Sequence, residues 1–386
     1  MKLRYGLLVV AASLMAVQAG AQTPRAATKA APKAAAGVAG KTAAQLAPGQ
    51  NCQFLTAAHA AESAGDPNVN HDGSPLPGVT PPDISKGFNG IPRSAQPALT
   101  ASQRRILECT YHLNEANADM PYTLFIPSTY DPSRPTPLIV DLHGLNITPL
   151  QQILFDGTTD NAERFGYIVV APMGFSLGGW WGSRPMAAVP TAQTKPGTSR
   201  TYVTGELSEM DAMNVLATVR GKYNIDNARI YLTGHSMGGA GTYYLGGAHS
   251  DIWAGLAPMS GANGLANAEA AQKVKNIPML IMHGEKDSIV SPDTSRRSVM
   301  NLQSVGGQVI YLQSPGSDHE FWIRRGARNI EKVFMFFNTV SKTTQVGVIT
   351  PEMAAAPARA GGGGGGGRGG PGAPGAPGRG GPPAGR

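Results

Sequence analysis

The sequence predicts an α/β fold with a mostly parallel central sheet, and three observations lead to this prediction. Runs such as residues 137–142 and 167–171 are almost entirely apolar, as expected of strands buried on both faces. Segments of helical length separate such runs. The apolar run 230–232 leads into a Gly-x-Ser-x-Gly motif, which a helical segment of small residues follows. Strands that alternate with helices favour a sheet covered by helices on both faces.

Segments at both ends of the 386-residue chain are predicted to lie outside this domain. Residues 1–21 combine basic residues, a short apolar run and an Ala-Gly-Ala site, the pattern of a cleaved signal peptide. The apolar run is too short for a transmembrane anchor, so we expect a secreted or periplasmic protein. A disordered Ala/Pro linker, an N-terminal extension, the α/β domain and a disordered Gly/Pro/Arg-rich tail are predicted at residues 22–50, 51–103, 104–342 and 351–386.

The net charge of +7 is concentrated outside the predicted domain. Residues 1–21, 22–50 and 351–386 carry +2, +4 and +3, which leaves −2 for residues 51–350. A domain with this balance does not bind polyanions, and the tail lacks the aromatic residues that interleave RNA-binding segments. Nucleic acid is therefore excluded as an expected partner.

Cys52 and Cys109 are the two cysteines of the chain. In an exported protein they are candidates for a disulfide, which would tie the N-terminal extension to the domain. Two buried free thiols are the alternative that the sequence leaves open.

The other elements follow in order along the chain. A helical piece is predicted at residues 54–64, and residues 106–113 and 122–126 are predicted to form an antiparallel pair of strands. Ser208 and Asp211 have the spacing of a capping box, which predicts that a helix begins there. After the Gly-x-Ser-x-Gly segment, further strands are predicted at residues 254–258, 278–282 and 309–312.

Ser236 is the candidate nucleophile at the centre of the Gly-x-Ser-x-Gly motif. A turn this sharp crowds the backbone, so side chains at Gly234 and Gly238 would collide with the adjoining strand and helix. The turn places the serine at a helix N-terminus, where free N–H groups favour a developing oxyanion. A serine nucleophile also needs a histidine base and an acid that orients this base.

Two loops that follow later strands supply candidates for these groups. Asp287 follows the apolar run 278–284 and is the candidate acid, with Glu285 as its competitor. His319 follows the strand at 309–312 and is the candidate base. The chain order of serine, aspartate and histidine is that of hydrolases with a nucleophile elbow.

Two backbone N–H groups are predicted to form the oxyanion hole. One belongs to Met237, the residue after the serine, and the other comes from the loop after residues 137–142. A glycine in this loop lets the backbone turn inward. The N–H of Leu145 is therefore the predicted second donor, with that of Gly144 as the alternative.

Four side chains near these groups are predicted to bind substrate: Trp180, Trp181, His235 and Trp322. Adjacent tryptophans in a Gly-rich loop suggest a wall that stacks against an apolar or aromatic acyl group. For one of the two adjacent tryptophans, packing that only holds the loop in place is an equally good interpretation.

Over residues 105–340 the chain resembles the α/β-hydrolase superfamily. More narrowly, it is similar to secreted feruloyl esterases and polyhydroxybutyrate depolymerase-like enzymes, a group related to family-1 carbohydrate esterases. The motifs that carry the resemblance are His143-Gly144, Tyr223-Asn224-Ile225-Asp226, Gly234-His235-Ser236-Met237-Gly238-Gly239, His283-Gly284-x-x-Asp287 and His319. The resemblance implies the α/β-hydrolase fold.

The expected function is that of a secreted serine esterase. It would hydrolyse short-acyl, feruloyl-type or polyester substrates through a Ser-His-Asp triad and an acyl-enzyme. The substrate would be a small molecule or a polymer, no metal or other cofactor is required, and we expect a monomer. A prolyl-oligopeptidase-like peptidase or amidase and a non-catalytic module that binds the cell envelope are the alternatives.

Overall fold

The computed structural model describes residues 51–57, 59–60, 99–189, 196–197, 200–324 and 327–343, except for the side chains of residues 324, 327 and 328. The chain divides into two units, residues 1–46 and 47–386, and every described residue belongs to the second. The predicted signal peptide, linker and tail lie outside the described residues. No helix in the described ranges is long and apolar enough to cross a membrane.

Nine strands form one sheet in the described part of the chain. They are β1 (Asn51–Phe54), β2 (Ile106–Leu113), β3 (Ala118–Phe125), β4 (Thr136–Leu142), β5 (Ile168–Pro172), β6 (Ile225–His235), β7 (Gly255–Met259), β8 (Met279–Gly284) and β9 (Val309–Ser314). Their order is β1-β2-β3-β5-β4-β6-β7-β8-β9. The six strands from β5 to β9 in this order are parallel, whereas β1, β2 and β3 form an antiparallel side.

Helices connect the successive parallel strands. They are α1 (Pro149–Ile153), α2 (Thr158–Phe165), α3 (Thr204–Lys222), α4 (Met237–Ala248), α5 (Ala268–Gln272), α6 (Asp293–Ser304), α7 (Phe321–Arg324) and α8 (Ala327–Thr339), with 3₁₀ turns at Gln103–Arg105 and Trp180–Gly182. This arrangement confirms the predicted α/β fold with a mostly parallel sheet, and it is the α/β-hydrolase architecture that the resemblance implies.

The parallel strands are buried because helices cover their side chains. Every residue of β4, β5, β7 and β8 is buried. On one face, α8 packs aromatic rings against the sheet: Phe337 stacks on Tyr231 at 4.5 Å, and Phe334 meets Tyr167 edge to face at 5.7 Å. Such a core fixes the positions at which the strands end, and the loops of the candidate site leave from those ends.

The predicted antiparallel pair is confirmed as β2 and β3, with Ile106 opposite Phe125 and Leu113 opposite Ala118. β3 begins at Ala118, four residues before the predicted start at residue 122. The turn between β2 and β3 contains Asn117, which has a φ of 45°. This turn is short, so the two strands stay paired up to Leu113 and Ala118 on either side of it.

The predicted helix start at Ser208 and Asp211 is wrong. α3 begins at Thr204, and both side chains are buried within it. The hydroxyl of Ser208 accepts a hydrogen bond from the N–H of Trp181 at 3.0 Å, so it serves a neighbouring loop. A capping box occurs instead at Thr148, at the start of α1.

The predicted helix at residues 54–64 begins too early. Phe54 is the last residue of β1, which pairs with β2. Residues 57, 59 and 60 are helical, and residues 58 and 61–64 lie outside the described residues. Pairing with a sheet edge therefore overrides the apolar helical pattern at the start of this segment.

Cys52 and Cys109 lie opposite each other on β1 and β2 and form a disulfide, with their Cα atoms 4.1 Å apart. The bond ties the N-terminal extension to the sheet. The sequence leaves a disulfide and two free thiols as alternatives, and the structure contains the disulfide.

Candidate active site

Ser236 alone makes the turn between β6, which ends at His235, and α4, which begins at Met237. Its φ of 58° and ψ of −112° are rarely adopted by residues other than glycine. The N–H of Ser236 donates to the carbonyl of Met259 at 2.9 Å, and its carbonyl accepts from the N–H of Ala262 at 3.2 Å. The strand β7 and the loop after it therefore hold the strained serine.

Backbone crowding around this turn explains its glycines. A Cβ on Gly238 would lie 1.9 Å from the carbonyl oxygen of Leu142 at the end of β4. A Cβ on Gly234 would lie 2.6 Å from the backbone of Gly238. Three backbones meet here, and only glycine lets them approach this closely.

His319 and Asp287 form a buried hydrogen-bonded pair. Nδ1 of His319 lies 2.7 Å from Oδ2 of Asp287, and the two side chains are 3% and 0% exposed. The other carboxylate oxygen accepts from the N–H groups of Ile289 and Val290 at 2.9 and 2.8 Å. Because an ionised carboxylate only accepts, Nδ1 carries the proton, and the lone pair of the neutral ring lies on Nε2. Nε2 is the atom that can act as a base.

Glu285, the competing acid, takes a different position. Its side chain is exposed, and Oε2 accepts from the N–H of Gly316 at 2.7 Å. Of the two carboxylates, Asp287 is the one bonded to the imidazole of His319.

Burial alone would raise the pKa of the Asp287 carboxyl. Hydrogen bonds from His283 and His319, the charge of His319 and the N–H of Val290 outweigh burial, and they hold the pKa well below its ordinary value. The carboxyl is therefore ionised at neutral pH, as required of a group that stabilises an imidazolium.

Two side chains tie the loop of His319 to the serine turn. Nε2–H of His235 donates to the carbonyl of His319 at 2.8 Å, and the hydroxyl of Ser260 donates to the same oxygen at 3.1 Å. The rings of His235 and His319 lie 4.7 Å apart. Since His235 directly precedes Ser236, these contacts bring the candidate base to the nucleophile turn.

The same contacts correct the prediction that His235 binds substrate. Its side chain is buried at 1% exposure. A ring that packs on the candidate base and donates to its carbonyl has no surface left for a ligand. His235 belongs to the support of the site.

The loop after β4 lies against the serine. A Cβ on Gly144 would be 3.6 Å from Cβ of Ser236, so the two backbones are neighbours. Within the described residues, the N–H groups of Leu145 and Met237 donate to no acceptor. Met237 follows Ser236 directly, and Leu145 belongs to the loop that lies against it, so both N–H groups remain candidates for the oxyanion hole.

His143 fixes the start of this loop. Its Nδ1 faces the carbonyl of Gly144 at 2.7 Å, and its Nε2 faces the carbonyl of Met173 after β5 at 2.8 Å. Burial lowers the pKa of the imidazole, against these two carbonyls, which raise it. A buried imidazole therefore connects the oxyanion loop to the loop after β5.

The predicted substrate wall is wrong for Trp181 and Trp322. Trp181 is fully buried and donates its indole N–H to the carbonyl of His143 at 3.2 Å. Its ring occupies the space left by Gly241 on α4, where a Cβ would lie 2.6 Å from the indole. Trp322 is 3% exposed and belongs to the core under the sheet. Trp181 therefore supports the loop after β4, and Trp322 packs in the hydrophobic core.

Trp180 is the tryptophan of the predicted wall that keeps accessible surface. The guanidinium of Arg184 lies 3.5 Å from the centre of its ring and donates to the side-chain carbonyl of Asn263 at 3.0 Å. The loop after β5 is thereby joined to the loop after β7.

Two residues at the site were not assigned a role from the sequence, namely Ser260 and His283. Ser260 directly follows the buried strand β7, and His283 is near the C-terminal end of the buried strand β8. The same signal identified Asp287 and His319, so applying it to every strand of the sheet would have found them.

Family comparison agrees with this geometry. Residues 114–326, more than half of the chain, match the model of the Esterase family. The matched range includes the serine turn, Asp287 and His319.

Individual relatives match smaller parts of the chain. The bifunctional acetylxylan esterase/xylanase XynS20E of Neocallimastix patriciarum is 27% identical over 177 residues, which are 46% of this chain and 23% of that protein. This chain therefore spans about a quarter of that relative.

Solved structures match part of the chain at low identity. The S-formylglutathione hydrolase of Agrobacterium tumefaciens is 13% identical with a TM-score of 0.49, covering 62% of this chain and 96% of that one. The CE1 ferulic acid esterase of Anaeromyces mucronatus is 20% identical with a TM-score of 0.44, covering 61% and 89%.

Proposed function

This chain belongs to the Esterase family, and we propose that it is a carboxylic ester hydrolase that acts through Ser236, His319 and Asp287. The observation that carries the proposal is the buried hydrogen bond of 2.7 Å between His319 and Asp287. It lies in loops that are tied to the strained serine turn. A nucleophile, a base and an acid that orients the base are the parts that acyl transfer needs.

In the proposed reaction, Oγ of Ser236 attacks the ester carbonyl carbon while Nε2 of His319 takes the serine proton. The N–H groups of Met237 and Leu145 bind the oxyanion. The imidazolium, stabilised by Asp287, returns the proton to the departing alcohol. Water, deprotonated by the same imidazole, then attacks the acyl-enzyme, which releases the carboxylic acid and restores the serine.

The proposed substrates are short-acyl or aromatic acyl esters, of the feruloyl or polyester type. Apolar side chains on the loops of the site support an apolar acyl group. Leu177 after β5 and Ile289 after β8 are 37% and 52% exposed, and the indole of Trp180 is partly exposed. Sites that bind small molecules are lined mainly by hydrophobic and aromatic side chains, so accessible apolar groups on these loops are compatible with an apolar acyl group.

We further propose that the protein is a secreted or periplasmic monomer. The signal-peptide pattern of residues 1–21 supports export. The disulfide between Cys52 and Cys109 supports it as well, since such bonds persist in oxidising compartments.

The test is hydrolysis of p-nitrophenyl acetate by the full chain and by its Ser236→Ala variant. We expect the variant to lose at least about 10⁴-fold in kcat, because the nucleophile is removed while the fold stays intact. A fluorophosphonate probe should label the unaltered chain alone. Equal hydrolysis rates in both proteins, with equal labelling, would overturn the proposal.

The acyl preference needs a second experiment. Methyl ferulate, p-nitrophenyl acetate, an emulsified aliphatic polyester and a peptide anilide are compared on one preparation. We expect the esters to be hydrolysed and the anilide to remain intact. Faster cleavage of the anilide would favour the peptidase alternative.

A further inference from the structure

A second histidine contacts the candidate acid. His283 is the penultimate residue of β8, and its side chain is 0% exposed. Its Nε2 lies 3.0 Å from Oδ2 of Asp287 and 2.9 Å from the carbonyl oxygen of Val290. Its Nδ1 lies 2.7 Å from the hydroxyl of Ser295 on α6.

The partners of His283 determine where its proton lies. The carbonyl of Val290 can only accept, so Nε2 carries the hydrogen. This N–H donates to the carbonyl, and the same nitrogen lies 3.0 Å from Oδ2 of Asp287, where its hydrogen attracts the carboxylate and helps to lower its pKa. Nδ1 of the neutral ring then accepts from the Ser295 hydroxyl, which fixes the ring in its plane.

Both imidazoles meet the same carboxylate oxygen. Oδ2 of Asp287 lies 2.7 Å from His319 and 3.0 Å from His283, while Oδ1 accepts from two backbone N–H groups. Three N–H groups therefore donate to the carboxylate, whose side chain is fully buried, and the imidazole of His283 is its fourth polar neighbour. These neighbours resist rotation of the Asp287 carboxylate about its side chain. They therefore determine whether Oδ2 faces the imidazole of His319.

We propose that His283 is a positioning residue of the esterase reaction, which holds Oδ2 of Asp287 in line with Nδ1 of His319. This inference rests on the proposed function. An acid whose orientation is fixed before the reaction keeps the base in the correct tautomer and stabilises the imidazolium without reorganisation. His283 acts through Asp287 and does not touch the ester.

Three substitutions at residue 283 separate positioning from packing. In His283→Gln the amide nitrogen occupies the place of Nε2 and can donate to Asp287. In His283→Asn the amide is shorter and reaches Ser295 alone, and in His283→Leu the volume remains while the donor is lost. All three are measured in the full chain against p-nitrophenyl acetate, beside His112→Leu, a matched change of an exposed histidine on β2.

We expect kcat to fall about tenfold to a hundredfold in His283→Leu and His283→Asn, because one donor to a buried charge is lost. KM should change by less than about twofold, since His283 lies away from the substrate. His283→Gln should recover most of the lost kcat, and His112→Leu should match the unaltered chain. Circular dichroism and thermal unfolding identify folded variants.

Two results would overturn the inference. Folded His283→Leu with an unaltered kcat would remove the positioning role and leave the proposed function intact. If His283→Leu does not fold, equal kcat values in His283→Gln and His283→Asn would likewise remove the positioning role. An unaltered chain that neither hydrolyses esters nor reacts with a fluorophosphonate would remove the proposed function itself, and the positioning role with it.

Discussion

The carboxylates of Asp287 and Glu285 lie two residues apart and have opposite environments. Asp287 is buried with four polar neighbours around it, whereas Glu285 is exposed and accepts one backbone N–H. Spacing in the sequence cannot separate the two, because both follow the same strand. The path of the turn after β8 separates them, since it directs the side chain of Asp287 toward His319.

Asp287→Asn and Glu285→Gln form a matched pair of isosteric changes. We expect Asp287→Asn to lower kcat about 10⁴-fold, because the amide cannot stabilise the imidazolium and favours the wrong tautomer. Glu285→Gln should lower it less than about threefold. The measurement is kcat for p-nitrophenyl acetate at pH 8, and a larger loss in Glu285→Gln would exchange the two assignments.

Asp141 is a buried carboxyl outside the candidate site. It lies on β4, and its Oδ1 accepts from Nε2 of Gln152 at 2.7 Å. The Oε1 of Gln152 is buried and has no partner in the described part of the chain. Burial raises the pKa of Asp141 to about 7, although the bond from Gln152 lowers it in part. A protonated Asp141 could donate to Gln152 Oε1, so the neutral acid suits this environment.

Asp141→Asn should make the protein less sensitive to alkaline pH. The folded-state pKa of about 7 lies above the ordinary value, so the stability that the neutral carboxyl contributes is present at acid pH and lost as the pH rises through 7. The asparagine stays neutral and can donate to Gln152. We expect it to raise the free energy of unfolding by about 2 kcal/mol at pH 8 and to change it little at pH 4.

Urea unfolding at both pH values measures this effect. Asp226→Asn, a change of a partly exposed carboxylate paired with Arg229, is a suitable control, because it should not raise stability at pH 8. A gain for Asp141→Asn that is equal at pH 4 and pH 8 would contradict the titration of Asp141.

At the scale of elements, the turn between β6 and α4 joins three backbones in one small space. The end of β4 lies under Gly238, and the loop after β7 lies against Gly239, where a Cβ would be 2.5 Å from Cα of Gly261. Small residues at the start of α4 therefore let the helix begin directly on the sheet. The N–H groups of its first turn thereby lie beside Ser236, where the helix dipole is positive.

Gly238→Ala should destabilise the fold by more than about 3 kcal/mol, because its Cβ would overlap the carbonyl of Leu142 at 1.9 Å and backbone cannot move aside cheaply. Gly221→Ala on α3 is the matched control. A Cβ there meets nothing within 4 Å, and alanine favours the helix by about 0.5 kcal/mol. Thermal unfolding of both variants measures the difference, and a Gly238→Ala protein as stable as the original would refute the crowding.

Strands are easier to predict from the sequence than the first residue of a helix or the hydrogen-bond partner of a side chain. Apolar runs predict β2, β4, β5, β7, β8 and β9 within a few residues. The signal is strongest for β4, β5, β7 and β8, because burial on both faces leaves an almost continuous apolar run. The start of α3 was misplaced, since Ser208 has the residue type of a cap but bonds to Trp181 from a distant loop. Local spacing carries no information on such contacts.

The candidate site shows the same division. The motif and the strand ends predict Ser236, Asp287 and His319 as candidates, because chemistry limits the residue types and topology limits their places. The structure pairs His319 with Asp287 and ties the loop of His319 to the residue before Ser236. The roles of His235 and Trp181 could not be read in this way. A histidine beside the nucleophile and a tryptophan in a loop look accessible until the packing of the neighbouring loops is known.

At the scale of the whole molecule, the N-terminal extension contributes to the sheet. β1 adds a ninth strand at the antiparallel edge, and the disulfide between Cys52 and Cys109 links it to β2 across 57 residues of sequence. This edge is separated from the strands of the candidate site by β2 and β3. The bond should therefore affect stability and leave catalysis unchanged.

A variant with Cys52→Ala and Cys109→Ala should lose about 4 kcal/mol in the free energy of unfolding, the chain-entropy value for a loop of this length. Its kcat for p-nitrophenyl acetate should equal that of the unaltered chain. Urea unfolding, together with the same treatment of the unaltered chain in dithiothreitol, measures the loss. A folded variant with a tenfold lower kcat would show that the edge strand reaches the site.

Two hydrogen bonds on the carbonyl of His319 hold the backbone of the candidate base. They come from His235 and Ser260, both of which are buried next to the nucleophile turn. The backbone of the candidate base is therefore held in place before any ligand arrives. In the proposed reaction, this anchoring reduces the reorganisation that the imidazole would undergo when it takes the serine proton.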